Sequence, residues 1–336
     1  MATVLTYRGR EVSDDDVVFI RELIAAHPEL SRRRLSYKLC EAWGWIQPNG
    51  VMKDMVCRGL MLALHRAEHI ELPPVRRRPP NNVVARRRPQ RVEIDRSPIE
   101  GPLSSLGRLE LRQVRGTNDD ELVNGLLEEH HYMGYQRPVG EHLKFLVVAQ
   151  GRPIACFMWS SSLPKLRPRD RFIGWSPEAR ARNVQPLAYN SRVLILPWVQ
   201  VRHLASHLLG RMTRELSAHW TDVYDHPIHL AETYVDRDRF AGTCYRAANW
   251  LHIGQTTGRG SHAPTMEATR SKKDILVQPL DKRFRARLRH GASAKADRGR
   301  LRVASCHRRS RSSSPTDRRG VRGARGHARD DAVART

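Results

Sequence analysis

Glu232 and Asp236 stand four residues apart around the end of a strand-like stretch, and Asp238 follows in the next turn. Joined by Asp170 or Glu141, these carboxylates offer the oxygen ligands that a divalent cation takes. A metal held there would serve a nuclease or a strand transferase. Side chains four apart on a strand share a face but lie about 13 Å apart along it. The turn after Val235 must therefore fold Asp236 back for this chemistry. The same residues have a structural use: Asp236 and Asp238 would cap a following helix, and Glu232 would pair with an arginine. Spacing leaves both uses open, and it assigns no metal ligand by itself.

A second constellation suits phosphate. Asn190 and Arg192 lead into a strand and share a face. With Arg246, Gln255, Arg259 and the loop around Gly258 and Gly260, they would form a phosphate-binding surface. Trp175, Trp198 and Trp250 offer flat faces for unpaired bases, although a lone tryptophan is more often core. His130, His131 and His142 have the chemistry of bases, but no motif pairs a Ser or Cys nucleophile with them.

The charge points the same way. The 336 residues carry a formal charge of +24 and a pI near 10.9. An excess this large favours a polyanionic partner, most often nucleic acid. Against that stands the arginine enrichment that a GC-rich genome brings. The excess is uneven: residues 282–336 hold 18 Lys and Arg against 4 Asp and Glu, so the remainder is only moderately basic. Cys40, Cys57, Cys156, Cys244 and Cys306 include no C-x-x-C pair, which argues against a zinc site and against a disulfide framework. No apolar run approaches membrane-spanning length and no signal pattern opens the chain. The expectation is a cytoplasmic protein with reduced thiols and no membrane partner.

Helical patterns at 14–26, 32–43 and 51–67, with Ser31 as an N-cap and a short strand at 69–72, make residues 1–74 a small helical, winged-helix-like module. In that reading the third helix enters a major groove and presents Lys53, Arg58, His65 and Arg66; otherwise its cations are a solvated face. Residues 75–105 are an Arg- and Pro-rich linker, able to lie along phosphates or simply to space two parts. Residues 106–284 alternate strands and helices: a strand at 109–114, a helix from Asn118 or Asp119 to His130, a hairpin at 143–150 and 153–160, and a strand at 193–196. An amphipathic helix at 201–220, strands at 228–235 and 251–255 around a helix at 240–249, and a strand at 273–278 come next. After Phe284 periodicity disappears. Residues 285–336 are disordered by composition, either a nucleic-acid arm or the product of a shifted reading frame that truncates a longer protein.

The order β-α-β-β-β-α-β-α-β resembles the GNAT acetyltransferase fold. The hairpin at Gly151-Arg152-Pro153-Ile154 is similar to that of the fold, as is the strand 193–196 running into the helix 201–220. There the family places a Q/R-x-x-G-x-G/A turn whose amides cradle the pyrophosphate of acetyl-CoA. Gln200, His203 and Ala205 match it, with His203 replacing a glycine and crowding the approach. Tyr245 falls where the family keeps its general acid, and Asn249-Trp250 replaces the usual Gly-Phe. The plain alternative for Tyr245 is a helix tyrosine packed at the core edge.

A closer resemblance is to the DruA family, named for the Druantia anti-phage system and found beside or fused to DDE transposase domains. It rests on Tyr132-Met133-Gly134-Tyr135, Pro138-Val139-Gly140-Glu141-His142, Arg169-Asp170-Arg171-Phe172-Ile173-Gly174-Trp175-Ser176, Asn190-Ser191-Arg192, Leu196-Pro197-Trp198-Val199, Glu232-Thr233-Tyr234-Val235-Asp236 and Gly242-Thr243-Cys244-Tyr245-Arg246-Ala247-Ala248-Asn249-Trp250. The resemblance implies DNA-linked work in phage defence or mobile elements, with DNA and other defence or transposition proteins as partners. The fold expected is α+β: a winged-helix-like module, then a GNAT-like mixed sheet flanked by helices, then the basic tail. Two functions are carried forward. One is DNA binding, with a role in DNA processing or as a transposition accessory. The other is N-acyl transfer from acetyl-CoA. The cofactors to test are a divalent metal and acetyl-CoA, and the candidate catalytic residues are Glu232, Asp236 and Tyr245.

Overall fold

Arg8 and Gly9 both take positive φ, 50° and 82°, which is the geometry of a two-residue hairpin turn. They join β1 (Thr3–Tyr7) to β2 (Arg10–Ser13), a hairpin that residue types alone did not announce. The computed structural model describes residues 3–75, 88–259, 268 and 270–290. Arg76 to Arg78 and Arg86-Arg87 in the linker, Gly260, and the tail beyond His290 lie outside the described residues.

Ser13 starts α1 (Asp14–Ala25) with a reciprocal capping box to Asp16. Ser31 caps α2 (Arg32–Ala42) as its type suggests. The third helix, α3 (Asp54–Arg66), begins three residues later than its apolar pattern. Ile20, Leu35, Leu39, Leu60 and Leu64 form the small core of this module. The strand expected at 69–72 does not form; Ile70 and Leu72 instead plug that core as irregular chain.

The module is fastened to the larger, sheet-bearing part of the chain. Val56 of α3 belongs to the large core, not the small one. Lys53 Nζ lies 2.6 Å from Asp225 Oδ1, and Arg8 Nη2 lies 2.5 Å from Glu141 Oε1. Glu141 also takes His226 Nε2 at 2.7 Å and hydrogen bonds from Gln185 and Trp220. Burial pushes the Glu141 carboxyl up, but His226 and Arg8 outweigh it and hold the group at about 2.

The linker is structured where it is described. Gln90 and Val92 lie so close to Gly125 that any Cβ there would clash with the Gln90 carbonyl. Arg96 pairs with Glu129 at 3.0 Å. A short strand, β3 (Ile99–Gly101), then leads through a 3-10 turn into the sheet.

The sheet is built from β4 (Leu109–Gln113), β5 (His142–Ala149), β6 (Arg152–Ser161), β7 (Leu187–Ile195), β9 (Leu230–Asp236), β10 (Leu251–Gln255) and β11 (Lys273–Pro279), with β8 (Val199–Val201) apart from it and parallel to β3. Its order is β10-β11-β9-β7-β6-β5-β4. Of the helices, α4 (Asp119–His130) and α7 (Leu204–Tyr224) carry apolar faces into the core, with Leu208, Leu209, Met212, Leu216 and Trp220 of α7 buried. The remaining helices are α5 (Arg167–Ile173), α6 (Pro177–Asn183), α8 (Thr243–Ala247) and α9 (Phe284–His290). α8 is thus shorter than its pattern, and a helix persists past Phe284.

This is an α+β fold in which a mixed sheet is flanked by helices. Among the described residues no helix is long and apolar enough to cross a membrane. One irregularity shapes the rest of the architecture. The parallel strands β7 and β9 pair only at Leu187–Leu230, Ala188–Ala231 and Tyr189–Glu232. Past Tyr189 and Glu232 they part, each held by its outer neighbour, and a cleft opens between them.

Candidate functional site

β7 carries a bulge inside that cleft. Its register against β6 jumps from Arg192–Met158 to Asn190–Trp159, leaving Ser191 over. Asn190 and Arg192 are both buried, 2% and 5% exposed, and both line a cavity of about 450 Å³ between the parted strands. Arg192 Nε donates to the Gly134 carbonyl and Nη1 to that of Ser191. Arg192 therefore sits in the wall of a cavity rather than on an open phosphate-binding face.

Tyr245 closes the cavity from α8. Its hydroxyl donates to Asn190 Oδ1 at 2.7 Å, and Thr233 Oγ1 donates to the Asn190 carbonyl at 3.1 Å. Burial pushes the Tyr245 phenol far above its ordinary range, so it stays protonated at neutral pH. It is a proton donor held in place, facing the cavity.

Glu232 and Asp236 have opposite fates. Glu232 is sealed below the point where the strands part. Arg169 Nη1 donates to its Oε2 at 3.3 Å and the Tyr234 hydroxyl to its Oε1 at 2.8 Å. Arg169 is itself fully buried and is clasped by Asp170, which also accepts from Trp175 Nε1. Burial raises the Glu232 pKa against the pull of Arg169. The arginine partner foreseen for Glu232 is therefore Arg169. Asp236 lies at the far end of β9, lines the cavity, and accepts from Ser271 Oγ at 3.0 Å and the Asp238 amide at 3.3 Å. The helix after it is capped by Gly242, so neither Asp236 nor Asp238 caps it.

The metal set does not assemble. Asp170 and Glu232 share Arg169, Asp236 is elsewhere, and Glu141 is bound to Arg8 and His226. Among the described residues no three His, Cys, Asp or Glu side chains are placed to hold a metal ion. The donor set therefore does not fit a divalent cation.

Arg246 and Gln255 do come together, on the outer edge of the sheet rather than beside Asn190. Arg246 Nη2 lies 3.7 Å from Asp274 Oδ2, and Gln255 Nε2 donates to Asp274 Oδ1 at 3.0 Å. Arg237 and His252 converge on the same carboxylate at 3.7 and 3.2 Å. Burial opposes ionisation of Asp274, yet these donors and cations hold its pKa below the ordinary value. Arg259 lies in the loop just beyond β10.

Lys53 is turned inward onto Asp225, whereas Arg58 is exposed and pairs with Asp54 at 3.2 Å. The exposed cations of the module are spread over Arg21 of α1, Arg33, Arg34 and Lys38 of α2, and Arg58 and Arg66 of α3. The tryptophans have structural partners: Trp175 with Asp170, Trp198 with His130, and Trp250 against Tyr245.

At α7 the backbone keeps the turn that a glycine would make. His203 is left-handed, with φ 64°, and its side chain is exposed. A groove lined by His203, Ala205, Thr243 and Cys244 continues into the main cavity, sharing Ala205, Thr243 and Cys244 with it. The imidazole therefore does not fill the path along the helix start.

Sequence reasoning passed over the aromatic mouth of the cavity. Tyr132 and Phe240 are 42% and 48% exposed, with ring centroids 5.1 Å apart. Arg239 lies over Tyr132 at 5.3 Å. His131, next to them, is held at about 4 by burial and by Arg192, so its ring is neutral. Two aromatics next to polar residues give no periodic signal; only the fold joins them.

The sequence matches the family described as Druantia protein DruA over residues 64–270, well over half of the chain. No curated protein matches it. Among solved structures it is similar to the ribosomal-protein-S18-alanine N-acetyltransferase of Escherichia coli, with 15% identity, 52% of this chain and 95% of that one covered, and a TM-score of 0.34. An aminoglycoside acetyltransferase in complex with coenzyme A gives 15%, 54%, 98% and 0.33. A GNAT-family acetyltransferase of Streptococcus pneumoniae gives 11%, 52%, 100% and 0.34.

Proposed function

The chain belongs to the DruA family, and on that premise we propose that it is a nucleic-acid-associated protein of an anti-phage defence system or mobile genetic element. It binds DNA, as a processing or transposition accessory, in the cytoplasm beside other proteins of that system. The observation that carries this reading is the crowding at β10. Arg237, Arg246 and His252 have side chains 59%, 51% and 45% exposed, and all three meet one carboxylate, Asp274. A single carboxylate does not match the charge of the two arginines, which leaves a positive edge for phosphate. The exposed cations of α2 add a second contact region.

The test is a gel shift with single- and double-stranded DNA over a range of salt. Affinity falls steeply with ionic strength, and removing one phosphate contact lowers the salt slope by about 1. The Arg237→Ala/Arg246→Ala variant weakens binding on all sequences alike. Tight binding that ignores salt, or none at all, ends this reading.

N-acyl transfer from acetyl-CoA is a second reading, favoured by the continuous groove from the start of α7 to Tyr245. The first-turn amides of α7 would hold the pyrophosphate, and Tyr245 would supply the proton. Acetyl-CoA would bring the activated acyl group. Calorimetry with coenzyme A decides it: no heat of binding removes this reading.

A further inference from the structure

We infer that the cavity between β7 and β9 is a pocket for one unpaired nucleotide, its base stacked on Tyr132 and Phe240 and its polar edge turned to Asp236 and Asn190. The inference rests on the nucleic-acid reading above and adds the form of nucleic acid and the place where it is gripped.

Exposed aromatic rings are the platforms on which unpaired bases stack. Tyr132 and Phe240, both half-exposed, meet at the mouth of a cavity whose lining mixes apolar and polar side chains. Their centroids are 5.1 Å apart and their planes are inclined by 60°, so together they form a corner rather than a closed stack. A flat ring laid against one face is met edge-on by the other. Arg239 lies 5.3 Å from the Tyr132 ring centroid, where its charge is placed for a phosphate beside a bound base.

Behind the mouth the groups change character. Asp236, 8% exposed, presents carboxylate oxygens, and Asn190, 2% exposed, is fixed by Tyr245. Asn190 Nδ2 reaches the Met158 and Arg192 carbonyls at 3.4 Å, and Asp236 takes one donor on each oxygen. A carboxylate has further lone pairs, and the edge of a base carries the donors to meet them. Lys273 also lines the wall, and Arg237 and Arg239 are exposed beside it. Those cations suit the phosphates on either side of a bound nucleotide. The volume, about 450 Å³, lies in the range of small-ligand pockets. A base inside an intact duplex cannot reach it. The base must be unpaired or leave the stack.

The experiment uses the whole chain, with DNA carrying 2-aminopurine in a single strand or opposite a mismatch. Fluorescence reports stacking of that base, and anisotropy reports total binding to intact duplex and to single strand. Binding by the wild type changes the fluorescence. The Tyr132→Leu/Phe240→Leu variant abolishes that change, binds single strand roughly ten-fold more weakly and binds intact duplex as before. Because both substituted residues are at the surface, retained duplex binding also shows that the variant folds. If DNA binds with no fluorescence change, or the variant keeps the change, the pocket is overturned while the DNA-binding reading stands. If no DNA binds at all, both fall. If coenzyme A displaces the signal and adenosine monophosphate does not, the cavity belongs to acyl transfer and the inference fails.

Discussion

The Tyr245 hydroxyl donates to Asn190 Oδ1 across the gap where β7 and β9 part. This one bond ties α8 to the bulged strand at the point where the backbone ladder between the parallel strands has ended. Asn190 is 2% exposed, so removing the donor leaves a buried acceptor unmet. Tyr245→Phe is expected to cost about 1–3 kcal/mol. Urea unfolding measures it; a variant as stable as the parent would mean the bond contributes nothing.

Arg169 and Glu232 form a buried ion pair whose charges depend on each other. Removing one leaves the other uncompensated, so Arg169→Met should destabilise by about 3–5 kcal/mol. The Arg169→Met/Glu232→Leu variant should recover part of this loss. A double-mutant cycle with no coupling would show the two groups to be independent.

Glu141 makes acid stability testable. Its folded pKa of about 2 lies below the ordinary 4.5, so its contribution is present above pH 4.5. That contribution is lost as the pH falls toward 2, and it amounts to about 3 kcal/mol at most. The Glu141→Gln variant is less stable at neutral pH, and its stability changes less across that window. Parallel curves for the two proteins would refute the assignment.

His131 titrates in the same sense but in a higher window. Its pKa of about 4, against 6.5 for an ordinary imidazole, favours the folded state above pH 6.5. The benefit is lost as the pH falls toward 4. A proton NMR titration should find its midpoint there; a midpoint near 6.5 would mean the ring is solvated.

His203 holds a left-handed backbone that costs a residue with a Cβ more than glycine. His203→Gly should therefore raise stability by about 0.5–1 kcal/mol, while His203→Ala should not. Thermal melts of the two variants compare them directly, and a destabilised glycine variant would show that the imidazole itself is needed.

Much of the architecture was legible because it is periodic. Leu208, Leu209, Met212 and Leu216 mark α7, and the apolar run 143–150 marks β5. The hairpin β1–β2 was not, because Arg8 disguises a turn in which two residues have positive φ. α5 was hidden as well: its Arg169 looks like a surface charge until it is seen folded inward to Glu232, 63 residues later. Glu232 and Asp236 share a spacing that suits several chemistries. What separates them is the place where β7 and β9 cease to pair, and spacing along one strand does not record the neighbour's path. Tyr132 and Phe240 meet only because α4 and the turn after β9 end side by side.

The parallel pair β3–β8 has a consequence in time. It joins positions about a hundred residues apart through three residues on each side. The entropy of closing so long a loop falls on very few hydrogen bonds, so the pair should zip after the sheet is complete and open before it. When it opens, the strand just ahead of α7 loses its partner. The start of α7 therefore lies on a seam that gives way locally, on a timescale faster than unfolding, and hydrogen exchange at Ile99, whose amide donates to the Trp198 carbonyl at 2.8 Å, should run ahead of exchange in β5 and β6.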